Sequence, residues 1–357
     1  MTPPSAWDPG AFRSSVQSVL DGVVAERAER LEPLGPDAAL LLDGAHAAVH
    51  GGKRLRAAFC WWGFRAVQPH VADEESLLRA AAALELLHAS ALVHDDFLDA
   101  SDTRRGRPAA HRSFERLHRD RGWAGRPELY GAGAAILLGD LLLCWSDELL
   151  RRCGLPAPEV EAALGFFDTT RTEVIAGQFL DLSVQARAES DVDQAMRVLR
   201  YKSAKYSIER PLHVGAALAG APEPTLTSLS GFGLPLGEAF QLRDDLLGVY
   251  GDPVVTGKPA GDDLTEGKRT VLVALALRAA PQDEAALLDR SLGAALDEGQ
   301  VQRLRQVIED SGARADVERR IDALTARALR ALAEAPVSEV AREALRRLAE
   351  AATHRAG

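Results

Sequence analysis

Cysteine is scarce in this chain: Cys60, Cys144 and Cys153 are the only three in 357 residues. Their odd number and wide spacing fit no metal-ligand pattern and argue against a disulfide framework, so a reducing compartment is the expectation. Basic charge is also short, with 42 Lys and Arg against 52 Asp and Glu, a net charge of −10. Nucleic-acid binders concentrate positive charge on one face, so no nucleic-acid partner is expected. The opening MTPPSAWDPG has neither a basic segment nor an apolar one. No signal peptide is therefore expected, and the cytoplasm is the default. The most apolar run, residues 134–144, is too short to cross a bilayer and carries Asp140, so no transmembrane segment is expected.

Alternating β-branched runs are nearly absent, as are Ser- or Gly-rich linkers and repeats of fixed period. What remains is helical periodicity rich in Ala, Leu, Arg and Glu, all strong helix formers. Glycine and proline fall between the periodic stretches and predict about a dozen helices, many of roughly 15 to 25 residues. Hydrophobic residues make up 46% of the chain, enough for a sizeable core. The expectation is one large all-α domain over residues 1–357, with a motif-bearing core at about 51–270. A C-terminal helical scaffold follows at about 271–357.

Two acid clusters interrupt the apolar pattern. His94-Asp95-Asp96-Phe97-Leu98-Asp99 closes a helix that begins near Asp73, and Asp95 and Asp99 lie one turn apart on it. Alone, this could be a solvated helix end. Asp244-Asp245 lies inside an otherwise apolar helix, where paired acids are costly to bury without a counter-ion. Such carboxylates suit Mg²⁺, which uses a few of them together with substrate phosphates. Basic runs accompany the acids: GGKRLR at 51–56, TRRGR at 103–107, and GKPAGDDLTEGKRT at 257–270. Each could be a solvated loop, but together they make a phosphate-plus-metal site the economical reading. His88 lies seven residues before Asp95, two turns along one helix face.

The strings GGKRLR (51–56), HASALVHDDFLDASDTRRG (88–106), GQFLD (177–181), KSA (202–204), FQLRDD (240–245) and GKPAGDDLTEGKRT (257–270) occur in that order. In this the chain resembles the trans-isoprenyl diphosphate synthases, and most of all the bacterial geranylgeranyl diphosphate synthases. The resemblance implies a large helical bundle of the isoprenoid synthase type around a central cavity, usually as a homodimer. It implies that Asp95, Asp96, Asp99, Asp244 and Asp245 hold Mg²⁺, three ions with substrate bound. Arg104, Lys202, Gln241, Lys258 and Lys268 would contact the allylic diphosphate, and Ser203 and Gln241 would lie near the cation. Lys53, Arg56, His88 and Arg105 would hold isopentenyl diphosphate. Asp95, Asp96, Asp99, Arg104, Lys202 and Asp244 would carry the catalysis, which proceeds by ionisation, condensation and elimination.

Product length would be set along the helix preceding the first aspartates. Ser90 and Ala91 are small, and Leu87, about 12 Å from Asp95, would be the first sizeable obstacle. That favours a C20 geranylgeranyl product over C15, with C25 or longer as alternatives. Three positions depart from the family pattern. Gly248 stands where a third aspartate is common, Ala57 where proline is frequent, and Ser203 where threonine is usual. The rival readings, a class I terpene cyclase and a non-catalytic subunit of a heteromeric synthase, fit less well. The first would lack a basic isopentenyl diphosphate site, and the second tends to have lost acidic residues.

Overall fold

The computed structural model describes residues 7–252 and 261–353. Within them the chain is all-α apart from one ladder, Thr103–Arg104 against Arg107–Pro108. The helices are α1 (Pro9–Leu31), α2 (Pro36–Val49), α3 (Leu55–Val67), α4 (Glu74–Leu98), α5 (Ala110–Asp120), α6 (Pro127–Arg151), α7 (Ala157–Ala186), α8 (Val192–Leu199), α9 (Arg210–Leu218) and α10 (Glu223–Tyr250). Beyond α10 follow a single turn, Asp262–Thr265, and helices Val271–Ala279, Gln282–Ser291, Glu298–Asp310, Ala313–Glu334 and Glu339–Thr353.

Helix α4 is central. Asp73 caps its first turn by accepting from the Ser76 amide at 3.0 Å, and Glu74 and Glu75 complement the helix dipole. Four successive alanines, Ala80 to Ala83, are fully buried, because helices α1, α3 and α6 press on α4 from several sides. Helix α10 joins two apolar clusters. Leu229, Phe232, Leu236 and Phe240 belong to the first, with α3, α4, α6 and α9; Leu242, Leu246 and Val249 belong to the second, with the C-terminal helices. Both acid clusters thus sit at the ends of heavily packed helices.

Between α8 and α9 the chain stays helical but widens to a π-helix over Arg200–Glu209. Sequence periodicity gives no hint of this widening, which is common at functional sites. Helices α4 and α6, 25 residues each, are long and apolar enough to cross a membrane by length and composition, which the 134–144 run alone is not. Most of α4 is buried, whereas α6 leaves Leu129, Ile136 and Leu137 exposed.

His213, on α9, links core packing to pH. Arg210 Nη1 can only donate, so His213 Nδ1 accepts from it at 3.3 Å and Nε2–H faces Ser230 Oγ at 2.9 Å. Burial, reinforced by Arg210, lowers the imidazole from 6.5 to about 4. A group whose folded pKa lies below its unfolded value favours the fold above pH 6.5. That contribution is lost as pH falls through about 4, and it amounts to at most about 3 kcal/mol. Urea denaturation from pH 7 to 4 should therefore show a steeper loss for the native protein than for His213→Gln. Parallel profiles would refute this.

Candidate active site

The two acid clusters line one cavity of about 770 Å³. Asp95 projects into it from the last turn of α4, and Asp244 and Asp245 from α10. The π-helix contributes Lys202, Ser203 and Tyr206. Two glycines let the flanking helices approach it. A Cβ on Gly177 of α7 would lie 2.4 Å from the Lys202 amide nitrogen, and one on Gly237 of α10 would lie 2.4 Å from the Ala204 carbonyl oxygen. One turn beyond each glycine, on the same helix face, come Asp181 and Gln241. Asp181 Oδ2 accepts from Lys202 Nζ at 2.7 Å, and Gln241 donates to Asp245 Oδ1 at 2.8 Å.

Cations interleave with the carboxylates. Lys202 Nζ is 3.1 Å from Asp95 Oδ1. Lys268 Nζ reaches Asp99 at 3.1 Å, Glu266 at 2.5 Å and Asp263 at 3.5 Å, so one ammonium joins the end of the first acid cluster to the turn that follows α10. Burial alone would raise the Asp95 carboxyl, but Lys202, Lys268 and Arg104 outweigh it and hold the group well below the usual range. Burial raises Asp99 despite Lys268, and it pushes Asp245 up to about 8, with Asp263 and Asp244 adding to the shift.

Another wall of the same cavity is cationic. Arg56 stacks over the Tyr206 ring at 4.1 Å and donates to Ser207 Oγ at 2.8 Å, while His88 Nδ1 lies 2.6 Å from the Tyr206 hydroxyl. Burial, with Arg56, Arg105, Arg104 and Arg54 around it, drives the His88 pKa well down, so the ring is neutral. Lys53, Arg105 and Gly52 line the same wall. Arg105 sits at the tip of the short hairpin with φ 53 and is followed by Gly106 with φ 72, the paired left-handed residues of a tight hairpin turn. Its Nη1 donates to the His50 carbonyl at 3.0 Å. The buried Glu85 of α4 fixes the start of α3, facing Arg54 at 3.4 Å and accepting the Ala57 amide at 3.1 Å. A proline at 57 has no such amide to donate.

Three of the expected positions lie outside the cavity lining. Asp96 does not line the cavity: it accepts from Arg104 Nε at 2.7 Å and from Arg104 Nη2, so it anchors that arginine instead of presenting a free carboxylate to a metal. The physical cause is the 100° step between consecutive helical residues. Ser90 and Leu87 are buried but do not line the cavity, whereas Ala91 and Leu92 do. Around the helix Ser90 is turned about 140° from Asp95 and Leu87 about 80°, against about 40° for Ala91. Of the remaining positions, Arg104, Gln241, Ser203 and Lys268 line the cavity, Asp99 lies just outside with Lys268 as its link, and Lys258 lies outside the described residues.

Sequence reasoning gave no role to Tyr206, Glu85, Asp181 or Asp263. Asp181 had a signal, an acid in an apolar helix; Tyr206 had none, because its place depends on the π-helix.

The donor set fits Mg²⁺. All candidate ligands are carboxylate oxygens, and Asp95 Oδ1 and Asp99 Oδ2 are buried without a hydrogen bond, each facing an ammonium. Among the described residues no three acids converge closely enough to cage a metal alone. That suits an ion that shares its coordination with substrate phosphates and water.

Comparison with known proteins identifies the family. The polyprenyl synthetase family profile matches residues 39–310, well over half of the chain. The chain belongs to the polyprenyl synthetase family. Its fold matches that of a Corynebacterium glutamicum geranylgeranyl pyrophosphate synthase crystallised with isoprenyl diphosphate and magnesium. The TM-score is 0.95 at 39% identity, covering 98% of this chain and 100% of that one. A Mycobacterium tuberculosis geranylgeranyl diphosphate synthase is 34% identical over 293 residues, 81% of this chain and 77% of that protein. A Mycobacterium bovis (2E,6E)-farnesyl diphosphate synthase is 36% identical over 222 residues, 62% of this chain. This polyprenyl synthetase spans only 56% of that farnesyl synthase's length.

Proposed function

We propose that this polyprenyl synthetase is a short-chain trans-prenyltransferase that condenses isopentenyl diphosphate with an allylic diphosphate, giving geranylgeranyl diphosphate, C20. One observation carries this reading: one cavity is lined by Asp95 with Lys202 bound to it, by Asp244 and Asp245 of α10, and along another wall by Lys53, Arg56 and Arg105. Two diphosphates need two receptors, and a cyclase needs only one.

In this reading Asp95 and Asp99 face Asp244 and Asp245 across the allylic diphosphate. These carboxylates would hold Mg²⁺, which would supply positive charge to the departing diphosphate. Lys202 and Lys268, with Lys258, hold the same group, and Arg104 is kept in place by Asp96. Lys53, Arg56, Arg105 and neutral His88 receive isopentenyl diphosphate, with Tyr206 aligning Arg56 and His88 from below. The Ser203 hydroxyl and the Gln241 amide carbonyl point dipoles toward the allylic cation, where preorganised dipoles stabilise charge without reorganisation. The double bond of isopentenyl diphosphate attacks that cation, and the released diphosphate takes the proton. Phe240, Val198 and Leu199 keep water from the cation.

Ile136 and Leu137 of α6 and Ile175 and Phe179 of α7 are exposed, and they are the residues we expect to meet a second copy of the chain in a homodimer.

Product analysis tests the reading. Purified protein with isopentenyl diphosphate, an allylic primer and Mg²⁺ should yield a C20 product by mass. Ala91→Phe should shorten it toward C15, because position 91 faces the cavity. Ser90→Phe should lower stability by about 1 to 3 kcal/mol and leave product length unchanged, because Ser90 faces packed core. Absence of condensation would end the functional reading, and shortening by Ser90→Phe alone would move the chain-length wall.

A further inference from the structure

The basic loop between α2 and α3 is held in a conformation that one of its residues disfavours. Of the four residues 51–54, three lie in the left-handed region: Gly51 with φ 74, Gly52 with φ 95 and Arg54 with φ 53. The glycines adopt it freely, but an arginine there is strained and persists only where its surroundings over-determine it. Three partners hold Arg54. Its Nη1 donates to Glu85 Oε2 at 3.4 Å, and its Nη2 donates to the Val49 carbonyl and to Gln17 Oε1. The Arg54 side chain is only 4% exposed, so these bonds form away from water.

Gln17 reaches the loop from outside the site. It lies on α1 beside Val16 and Leu20, both fully buried in the core, so its backbone is fixed. Its amide oxygen accepts twice, from Arg54 and from the Gly51 amide at 3.1 Å, and its amide nitrogen donates to Asp21 Oδ1 at 2.8 Å. The oxygen meets two donors and the nitrogen meets a carboxylate, so all three bonds agree on the orientation of the amide. Gln17 thus grips the loop at 51 and at 54, and Lys53 is carried between those points. Arg105 leans on the same loop: its Nη1 donates to the His50 carbonyl, and a Cβ on Gly52 would lie 2.8 Å from its Nη2. Lys53, Gly52 and Arg105 line the cavity, whereas Gln17 does not.

We propose that Gln17 is a positioning residue for isopentenyl diphosphate: by fixing Gly51 and Arg54 from α1, its amide oxygen sets the loop that presents Lys53 to the cavity. This role rests on the functional reading above. It gives the first helix of the chain a part in substrate recognition without contact with substrate.

Steady-state kinetics on the full chain, with each substrate varied in turn, test it. Gln17→Met keeps side-chain length and helix propensity but removes both the acceptor and the donor. It should raise KM for isopentenyl diphosphate about five- to twentyfold, the scale of one lost hydrogen bond, and leave kcat and KM for the allylic diphosphate within about twofold. Gln17→Glu combined with Asp21→Asn restores an acceptor at 17 and a donor at 21, and it should bring KM back toward the native value. Should Gln17→Met fold poorly by circular dichroism, Gln17→Ala makes the same comparison. Lys53→Ala and Arg56→Ala serve as references. If they raise KM for isopentenyl diphosphate while Gln17→Met does not, or if Gln17→Met impairs both substrates alike, the role of Gln17 is overturned and the site reading survives. If the references also leave that KM intact, the site reading falls and the role of Gln17 with it.

Discussion

Replacing Asp95 by alanine should lower turnover about 10²- to 10³-fold, the scale seen when one preorganised group that stabilises transition-state charge is removed. The expectation follows from position and charge. Asp95 is the carboxylate at which Lys202, Lys268 and Arg104 converge, and they hold it ionised against a burial that would otherwise protonate it. Its loss removes an anionic metal ligand and frees Lys202 from one of its two acid partners, leaving Asp181 alone. Incorporation of labelled isopentenyl diphosphate into product, with folding checked by circular dichroism, measures the effect. Chelation of divalent metal should abolish incorporation in the native protein. Near-normal turnover in the Asp95→Ala variant, or in excess chelator, would contradict the proposed chemistry.

Adding a single methyl group at Gly215 should destabilise the fold by about 3 kcal/mol or more, at or beyond the upper end of ordinary overpacking. A Cβ there would lie 1.8 Å from the Cys60 carbonyl oxygen and 2.8 Å from the Phe64 amide nitrogen, both backbone atoms of α3. Across the same crossing a Cβ on Gly63 would lie 2.3 Å from the Leu212 carbonyl oxygen of α9. Neither helix can yield locally, because backbone cannot rotate aside as a side chain can. Helix propensity alone gives the opposite sign, since Gly to Ala in an exposed helix stabilises by about 1 kcal/mol. Gly165 on α7 is the internal control: it is exposed, and a Cβ there meets nothing within 4 Å. Urea denaturation should show Gly165→Ala slightly more stable than the native protein and Gly215→Ala much less so. Equal midpoints for both variants would remove α3–α9 contact as a determinant of stability.

Helix α3 carries Arg56 in its first turn, so this crossing also bears on the site. If Gly215→Ala folds at low temperature, separation of α3 from α9 should displace Arg56 from Tyr206 and weaken the arginine-rich wall before the aspartate side of the cavity.

Local chemistry made much of this protein legible in one dimension. Helix-forming composition, with glycine and proline between periodic stretches, gave the all-α class, and α4, α6 and α10 run over the apolar segments expected of them. The acid pairs and basic loops stood out because charge is costly inside apolar helices unless something compensates it. Their order along the chain was enough to place it beside the prenyl diphosphate synthases, which the family match bears out. Neighbouring letters in a helix, however, point 100° apart, and the string does not say which of them faces a cavity. Hence Asp96 turned out to be bound to Arg104, and Ser90 to face the core while Ala91 faces the cavity. Tyr206 was invisible because a π-helix, not the residue itself, aims it at Arg56 and His88. Sequence by itself determined the fold class, the family and the supply of carboxylates and cations, since these depend on residue type and spacing along single helices. Tertiary structure alone decided which of those groups meet, above all Lys268 with Asp99, because that contact joins segments whose approach is set by packing and not by their order in the chain.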